Sequence, residues 1–177
     1  VQDSFIFGHK SYVSCKTAAL INGTLSHALD YDDTHFDYLG HPSVVVLSAA
    51  LAISDKYKLS FEEFKNASII GMETSCRIGK WLGRKHYIGG FHITSTSGIF
   101  GATIAVSKLM RLSSEQIENA LCIATSHSSG LKEQFGSMVK PYHVGMAANS
   151  AIQSSILSKN GLEASINSFD GPQGFGN

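Results

Sequence analysis

Residues 17–35, TAALINGTLSHALDYDDTH, decide the fold, because an apolar run of small residues passes directly into three aspartates and two histidines. At about 100° per residue, a helix through this stretch has an apolar face and a polar face. The apolar face carries Ile21, Leu25, Ala28 and Leu29, and the polar face carries Gly23, Ser26, His27, Asp30, Asp33 and Thr34. Asp32 falls on the other side, so we assign it no catalytic role. The stretch predicts a helix that packs on a core and lines something polar.

Length and composition predict one domain. The 177 residues can bury most of the apolar surface of one core without disulfides or a structural metal. The net charge is zero, so we expect neither nucleic acid nor a membrane as a partner. Charged residues make up 16% of the chain, below the roughly 25% of ordinary soluble domains. This shortage predicts that much of the surface faces protein, either another part of a longer chain or a second subunit.

The three cysteines, Cys15, Cys76 and Cys122, favour a cytoplasmic location. They are far apart, odd in number and form no CxxC pair, which argues against a disulfide framework and against a zinc site. We interpret them as buried small residues. No stretch approaches the roughly 18 consecutive apolar residues of a membrane span, and the first residues given do not show a charged head followed by an apolar signal core. Since the sequence starts at Val1 without an initiator Met, we expect a fragment of a longer protein.

Helix start and stop signals predict an all-α helical bundle over residues 1–168. Ser60 with Glu63, and Ser113 with Gln116, form capping boxes, and each cap contributes on the order of 1 kcal/mol. His41-Pro42-Ser43 ends one helix and begins the next, whose segment SVVVLS we interpret as helical. We expect about six helices and no convincing sheet.

Small and flexible residues mark two further features. Gly98, Gly101, Ala102 and Ala105 form a bare stripe where another helix can approach closely, since no phosphate-loop motif surrounds the glycines. Asn160-Gly161 is a helix stop. The Gly-rich segment 169–177, FDGPQGFGN, predicts a linker that leads out of the domain.

Four polar stretches lie at predicted helix boundaries. They are HALDYDDTH with His41 just beyond, GGFHITSTSG with His92, SHSSG with His127, and FGSMVKPYHVG with Lys140 and His143. Helix ends converge on the cavities of a bundle, and N-terminal amides there can donate to anions. We therefore expect a pocket that contains carboxylate, imidazole, hydroxyl and ammonium groups.

Several interpretations of these residues stay open. A metal site is one, with Asp30, Asp32, Asp33, His35 and His41 as candidate ligands, but no HExxH, Glu-x-x-His or EF-hand spacing supports it. Structural interpretations are solvated carboxylates at a helix C-terminus, a hydrogen-bonded buried His92 and an exposed loop Lys140. Neither SHSSG nor TSTSG fits the GxSxG elbow of a serine hydrolase.

Taken in order, NGTLSHALDYDDTH with HPS, GFHITSTSGIFGA, FGSMVKPYHVGMAA and GPQGF strongly resemble the MmgE/PrpD family. That family includes 2-methylcitrate dehydratase, cis-aconitate decarboxylase and an iminodisuccinate epimerase. The resemblance implies a large helical domain, a smaller α+β lid domain, homodimers, and catalysis without a metal or another cofactor. We expect the lid and the family's first helices to lie outside this chain, and the chain alone to be inactive.

The resemblance also implies site residues. It points to His92, Lys140, His41 and Asp30 as catalytic, and to Thr34 and His143 as substrate-binding. Where many members have Pro after the His of GFHPT, this chain has Ile93, which alters the helix start beside His92.

The implied reaction is proton transfer next to a carboxylate of a small di- or tricarboxylate. We hypothesise that His92 or His41 moves the proton, Lys140 neutralises developing negative charge, and Asp30 raises the pKa of an imidazole. Protonated imidazoles would help Lys140 to bind the substrate. A dehydratase or decarboxylase is the preferred function. The alternatives are epimerisation of an imino dicarboxylate, or a helical scaffold whose polar stretches are catalytically incomplete.

Overall fold

Seven α-helices, one of them a single turn, make up most of residues 3–176, the part of the chain that this computed structural model describes. The helices are α1 (Cys15–Ser26), α2 (Pro42–Tyr57), α3 (Phe61–Ile88), α4 (Ile93–Thr96), α5 (Gly98–Leu109), α6 (Ser114–Thr125) and α7 (Val139–Lys159). Short 3-10 helices cover Lys132–Gln134 and Ile166–Ser168. Strands β1 (Ser4–Phe5) and β2 (Tyr12–Val13) pair as an antiparallel hairpin, which the sequence did not predict. The predicted all-α class is confirmed.

The predicted helix boundaries rest on local hydrogen bonds. Both capping boxes form, with Ser60 and Glu63 at the start of α3, and Ser113 and Gln116 at the start of α6. The segment SVVVLS lies inside α2, as predicted, because Pro42 supplies the fixed φ that suits the first helical position. α7 ends at Lys159, next to the predicted stop.

The small-residue stripe of α5 packs closely on α3. A Cβ atom added to Gly101 would collide with the backbone oxygen of Gly71 and with Ser75 Oγ. α5 also contacts α2, α6 and α7, and its Ile99 and Phe100 side chains are fully buried. Burying a side chain of this size contributes about 1.5–3 kcal/mol. The stripe therefore serves helix packing, as predicted.

Two glycines bring α1 against α7. A Cβ atom on Gly145 would collide with the Leu20 carbonyl oxygen and with Thr24 Oγ1, and one on Gly23 would lie 3.0 Å from Gly145 Cα. The backbones of the two helices can approach this closely only because both residues lack side chains. This contact places the C-terminal end of α1 beside the N-terminal end of α7.

The first helix is shorter than the wheel predicted, and the prediction of helix through Thr34 was wrong. α1 ends at Ser26, with His27 as its C-cap, and Asp30 has a positive φ of 58°. A non-glycine residue in this left-handed region ends a helix rather than continuing it. Residues 27–41 instead form a loop, so the polar groups are arranged by turns and not by a helical face.

The C-terminal segment packs on the helices. Phe169 stacks on Trp81 with ring centroids 5.3 Å apart, and Phe175 lies 4.9 Å from Phe100. These aromatic contacts hold a segment whose glycines suggested a linker, and a linking role toward a second domain stays a prediction. Val1, Gln2 and Asn177 lie outside the described residues, as do those ends of the predicted domain (1–168) and linker (169–177).

Within residues 3–176, no helix is both long and apolar enough to cross a membrane.

Candidate active site

All four polar stretches meet near the ends of α1, α4 and α7, where the Gly130 carbonyl oxygen of SHSSG accepts from the His92 backbone N–H at 2.9 Å. We use the name polar cluster for seven residues that lie together there. They are His27, Asp30, Asp32, His41, His92, Lys140 and His143. His27 caps the C-terminus of α1, His92 caps the N-terminus of α4, and Lys140 lies in the first turn of α7.

Hydrogen bonds fix the 27–41 loop against α4. The buried Tyr38 hydroxyl donates to the carbonyl oxygens of Ile93 and Thr94, each at 3.3 Å. The backbone N–H of His41 donates to Thr94 Oγ1 at 3.2 Å. These bonds bring His41 to the stretch that carries His92, although about fifty residues separate them. Ile93, the residue that replaces the family's Pro, is fully buried as the first residue of α4.

Asp33 caps a helix and lies outside the polar cluster. Its carboxylate accepts from the Ser43 hydroxyl and, at 3.3 Å, from the Ser43 backbone N–H at the start of α2. A carboxylate is favourable at this end of a helix. The role of Asp33 is therefore structural.

Asp30 links a loop to α7. Its Oδ1 accepts from Lys140 Nζ at 2.6 Å and lies 3.4 Å from His41 Nε2. The hydrogen bond from Lys140 holds the pKa of the Asp30 carboxyl below its ordinary value. Lys140 places a positive charge at a helix N-terminus, where the helix dipole disfavours it, and the carboxylate compensates. The ammonium of Lys140 is thus fixed by its contact with Asp30, and Lys140 is not an exposed loop lysine.

Asp32 belongs to the polar cluster, which corrects the inference from the helical wheel. Both of its oxygens lie within 2.9 Å of His27 Nδ1, and its Oδ2 lies 3.3 Å from His41 Nδ1. A carboxylate only accepts, so Nδ1–H is the donor in this contact and Nε2 is the ring nitrogen that faces away from Asp32. The His27 side chain is 0% exposed, and its Nε2 has no hydrogen-bond partner.

His92 lies deepest in the polar cluster. It is 2% exposed, its Nδ1 lies 3.1 Å from His143 Nδ1, and its Nε2 has no hydrogen-bond partner. Burial, with the nearby His143 and His27 rings, lowers the pKa of His92 to about 3. Burial also lowers the pKa of His143. Both imidazoles are therefore neutral at neutral pH.

The imidazoles of the polar cluster have different surroundings. The carboxylate of Asp30 contacts Lys140 and His41, whereas burial dominates the environment of His92. Of the imidazoles that could help Lys140 to bind an anion, His92 is therefore not protonated at neutral pH. Phe135 lies between His92 and Lys140 of the polar cluster. Its ring centroid is 5.0 Å from that of His92 and 5.2 Å from Lys140 Nζ.

The sequence analysis gave two members of the polar cluster too small a part and included one residue outside its contacts. His27 was assigned no role, and Asp32 was named only as a candidate metal ligand, because a continuous helix was assumed. The five-residue spacing from a helix-ending His to an Asp was the available signal. Thr34 is exposed, and the hydrogen bonds and ion pairs of the cluster do not include it.

The arrangement can bind anions and move protons. Lys140 offers an ammonium that is 15% exposed, and the imidazoles of His92 and His41 are side chains that can accept or donate protons. Possible metal-ligand atoms of His27, Asp30, Asp32 and His41 also lie within 4.8 Å of one another, close enough to hold a cation. Of the candidate ligands named from the sequence, Asp33 caps α2, and His35 Nδ1 accepts from the Tyr38 backbone N–H.

Comparisons with known proteins show which family the chain belongs to. A sequence model of the MmgE/PrpD N-terminal domain matches residues 2–177. Cis-aconitate decarboxylase from Homo sapiens is 32% identical over 164 residues, which cover 90% of this chain and 34% of that protein. The Mus musculus protein of the same name is 32% identical over 164 residues, covering 90% and 33%, and that from Aspergillus terreus 30% over 166 residues, covering 90% and 34%. The chain spans about a third of the length of these relatives.

Proposed function

Because the chain belongs to the MmgE/PrpD family, we propose that its protein is a lyase that acts on a small di- or tricarboxylate. Cis-aconitate decarboxylation and 2-methylcitrate dehydration are the two reactions we favour, since the similar curated proteins named above are cis-aconitate decarboxylases. The proposal rests mainly on one observation. The ammonium of Lys140 contacts Asp30 in the same polar cluster as the buried, neutral imidazole of His92.

Substrate binding depends on Lys140. A tricarboxylate brings several negative charges, and in a water-poor site each charge-assisted contact contributes roughly 1.5–3 kcal/mol. Asp30 keeps the ammonium in place but also cancels part of its charge. A substrate carboxylate therefore takes over one of the three ammonium donors while Asp30 keeps another. His143 and Thr34 supply further contacts.

Proton transfer depends on His92 or His41. In a decarboxylation, the bond from the carboxylate carbon to the chain breaks, carbon dioxide leaves, and the electron pair stays on the carbon chain. A carbon of the chain then takes a proton from a protonated imidazole, which becomes neutral. In a dehydration, the imidazole first removes a proton from the carbon next to a carboxylate, and the hydroxyl leaves with a proton as water. A substrate carboxylate beside His92 raises its pKa and so allows it to carry the proton.

The reaction needs neither a metal nor another cofactor in this proposal, because an ammonium and imidazoles supply both charge and proton transfer. Epimerisation of an imino dicarboxylate uses the same groups and remains the second candidate. In an epimerisation a proton is removed from a carbon and returned to it, and neither carbon dioxide nor water is released.

Further protein completes the site. Tyr31 and Phe36, in the loop that carries Asp30, are 91% and 93% exposed, and Met138 beside Lys140 is also exposed. Apolar side chains exposed together mark a surface that other protein covers. We propose that the lid domain and a second subunit lie there, that the complete protein is a cytoplasmic homodimer, and that residues 1–177 alone are inactive.

Product analysis by proton NMR tests the function. The complete protein is incubated separately with cis-aconitate, 2-methylcitrate and iminodisuccinate, with and without prior treatment with a chelator. We expect one of the first two to be consumed at a rate that the chelator leaves unchanged. Turnover of iminodisuccinate alone would favour the epimerase, and loss of activity in the chelator-treated protein would refute metal independence.

A further inference from the structure

One half of the polar cluster has the donor set of a transition-metal site. His27, Asp30, Asp32 and His41 each place a nitrogen or carboxylate oxygen within 4.8 Å of the others. Imidazole and carboxylate are ligands for zinc and related divalent ions. Two His and two Asp residues alone would not identify a site, because acidic groups cluster on many surfaces.

The second observation is the orientation of His27. Asp32 accepts from its Nδ1–H at 2.8 Å, so Nε2 is the nitrogen that can face a ligand. That nitrogen is buried, has no hydrogen-bond partner, and lies 3.9 Å from Asp30 Oδ1. A carboxylate that holds one nitrogen of a histidine while the other faces a metal is a recurrent arrangement in zinc proteins. A buried imidazole nitrogen that has no hydrogen-bond partner and lies near a carboxylate oxygen is therefore an independent sign of a ligand-binding position.

We propose that His27, His41 and Asp30 bind a zinc-class divalent ion, with Asp32 orienting His27. The distances fit this set. Zinc bonds of about 2.0–2.2 Å in a tetrahedron put ligand atoms roughly 3.4 Å apart. His41 Nε2 lies 3.4 Å from Asp30 Oδ1, and His27 Nε2 lies 3.9 Å from the same oxygen. Small rotations of the side chains bring the three atoms to bonding distance, and water takes the fourth position.

The ion and Lys140 compete for one oxygen. Lys140 Nζ contacts the same Asp30 Oδ1 that the ion needs, at 2.6 Å. Two positive charges beside one carboxylate oxygen repel each other, so the ion weakens the contact between Lys140 and Asp30. Bound metal therefore displaces the ammonium. If the proposed function holds, displacing Lys140 removes the anion-binding group, so the metal inhibits the lyase and plays no part in its reaction.

Titration with metal tests the proposal without reference to activity. The complete protein, stripped with a chelator, is titrated with Zn²⁺ by calorimetry and with Co²⁺ by visible absorption, which reports tetrahedral coordination. We expect one site per chain. His27→Gln and Asp30→Asn should each weaken binding at least tenfold, whereas Lys140→Met should strengthen it. His9→Gln, at an exposed histidine outside the polar cluster, is the matched control and should bind normally.

The Asp30 variant guards against a folding artefact, since Asp30 is 54% exposed and its replacement does not disturb the core. Unchanged affinity in both cluster variants, or failure of the stripped protein to bind Co²⁺, would overturn the proposal. The proposed function is tested separately. A protein that binds Co²⁺ but turns over no polycarboxylate would refute the lyase and leave the metal site standing.

Discussion

Lys140 Nζ donates to Asp30 Oδ1 at 2.6 Å across 110 residues of sequence. The pair joins the loop after α1 to the first turn of α7, and both residues come from stretches that resemble the family's motifs. It depends on the contact between Gly23 and Gly145, which brings these two helix ends together. The packing of α1 on α7 therefore determines where the charges of Asp30 and Lys140 lie.

Lys140→Ala should lower turnover at least a hundredfold, the scale expected when a charge-stabilising group is lost from an active site. The matched control is Lys80→Ala, because Lys80 is an exposed lysine whose loss should leave turnover unchanged. Steady-state kinetics on the favoured substrate measure both. Near-normal turnover in Lys140→Ala would remove this lysine from the mechanism.

His92→Gln should also lower turnover at least a hundredfold, because glutamine cannot accept and release a proton at neutral pH. Its amide keeps hydrogen-bonding capacity near His143, so the fold should persist. Circular dichroism checks the fold, and kinetics check the reaction. If His92→Gln is fully active, His41 is the proton-transfer group.

The same variant should be less sensitive to acid. The folded state holds the pKa of His92 at about 3, below the ordinary value of 6.5 that applies when the chain is unfolded. Between these values the unfolded state binds a proton that the folded state does not, so stability falls as pH falls below 6.5. Near pH 5 the loss from this one group is about 2 kcal/mol. Urea unfolding at pH 7 and near pH 5 should show a smaller loss in His92→Gln than in His9→Gln.

Sequence patterns predicted the helices well because their signals are local. The capping boxes at Ser60 and Ser113 each depend on residues within one turn, and the stripe that includes Gly101 is recognisable from small residues spaced within two turns. The 27–41 loop is different. Asp30 adopts a left-handed conformation, and the bonds from Tyr38 to α4 hold the loop, so its side chains follow tertiary contacts that no helical wheel describes.

The site, too, could be predicted only in part from the sequence. The resemblance to a family placed Asp30, His41, His92 and Lys140 in one site, and they lie together in the structure. The pKa of His92 could not be predicted, since it depends on burial among rings from other elements. Asp32 was set aside for a related reason, because its contact with His27 exists only once α1 ends at Ser26.

Asp32→Asn should change the tautomer of His27. The carboxylate now accepts from His27 Nδ1–H, whereas an amide can donate to that nitrogen and so stabilise the opposite tautomer. We expect turnover to fall at least tenfold, the lower end for loss of an outer partner of a functional histidine. Nitrogen-15 NMR of the imidazoles reports the tautomer directly. Asp37→Asn, at an exposed aspartate, serves as the control; an unchanged His27 spectrum in Asp32→Asn would contradict the expected role.

Gly145→Ala should destabilise the fold and displace Lys140. The added methyl group collides with the Leu20 backbone oxygen, so α1 and α7 must separate. Overpacking of this kind costs about 1–3 kcal/mol. Gly161→Ala is the comparison, because its new Cβ meets open space and only the positive φ of 87° is strained. Thermal unfolding should rank Gly145→Ala as the less stable protein, with a raised KM that Gly161→Ala does not share.

Residues 1–177 alone should be inactive and should expose apolar surface, whereas the chain extended at both ends should turn over substrate. The reason is the surroundings of the polar cluster. Asp30 is half exposed, and Tyr31 and Phe36 project from the same loop into solvent. Water around this exposed loop weakens the charge-assisted contacts on which anion binding by Lys140 depends. Dye binding and light scattering compare the exposed apolar surface of the two chains, and substrate kinetics compare their activity. A short chain that is as active as the extended one, and that binds no dye, would show that the polar cluster is complete without further protein.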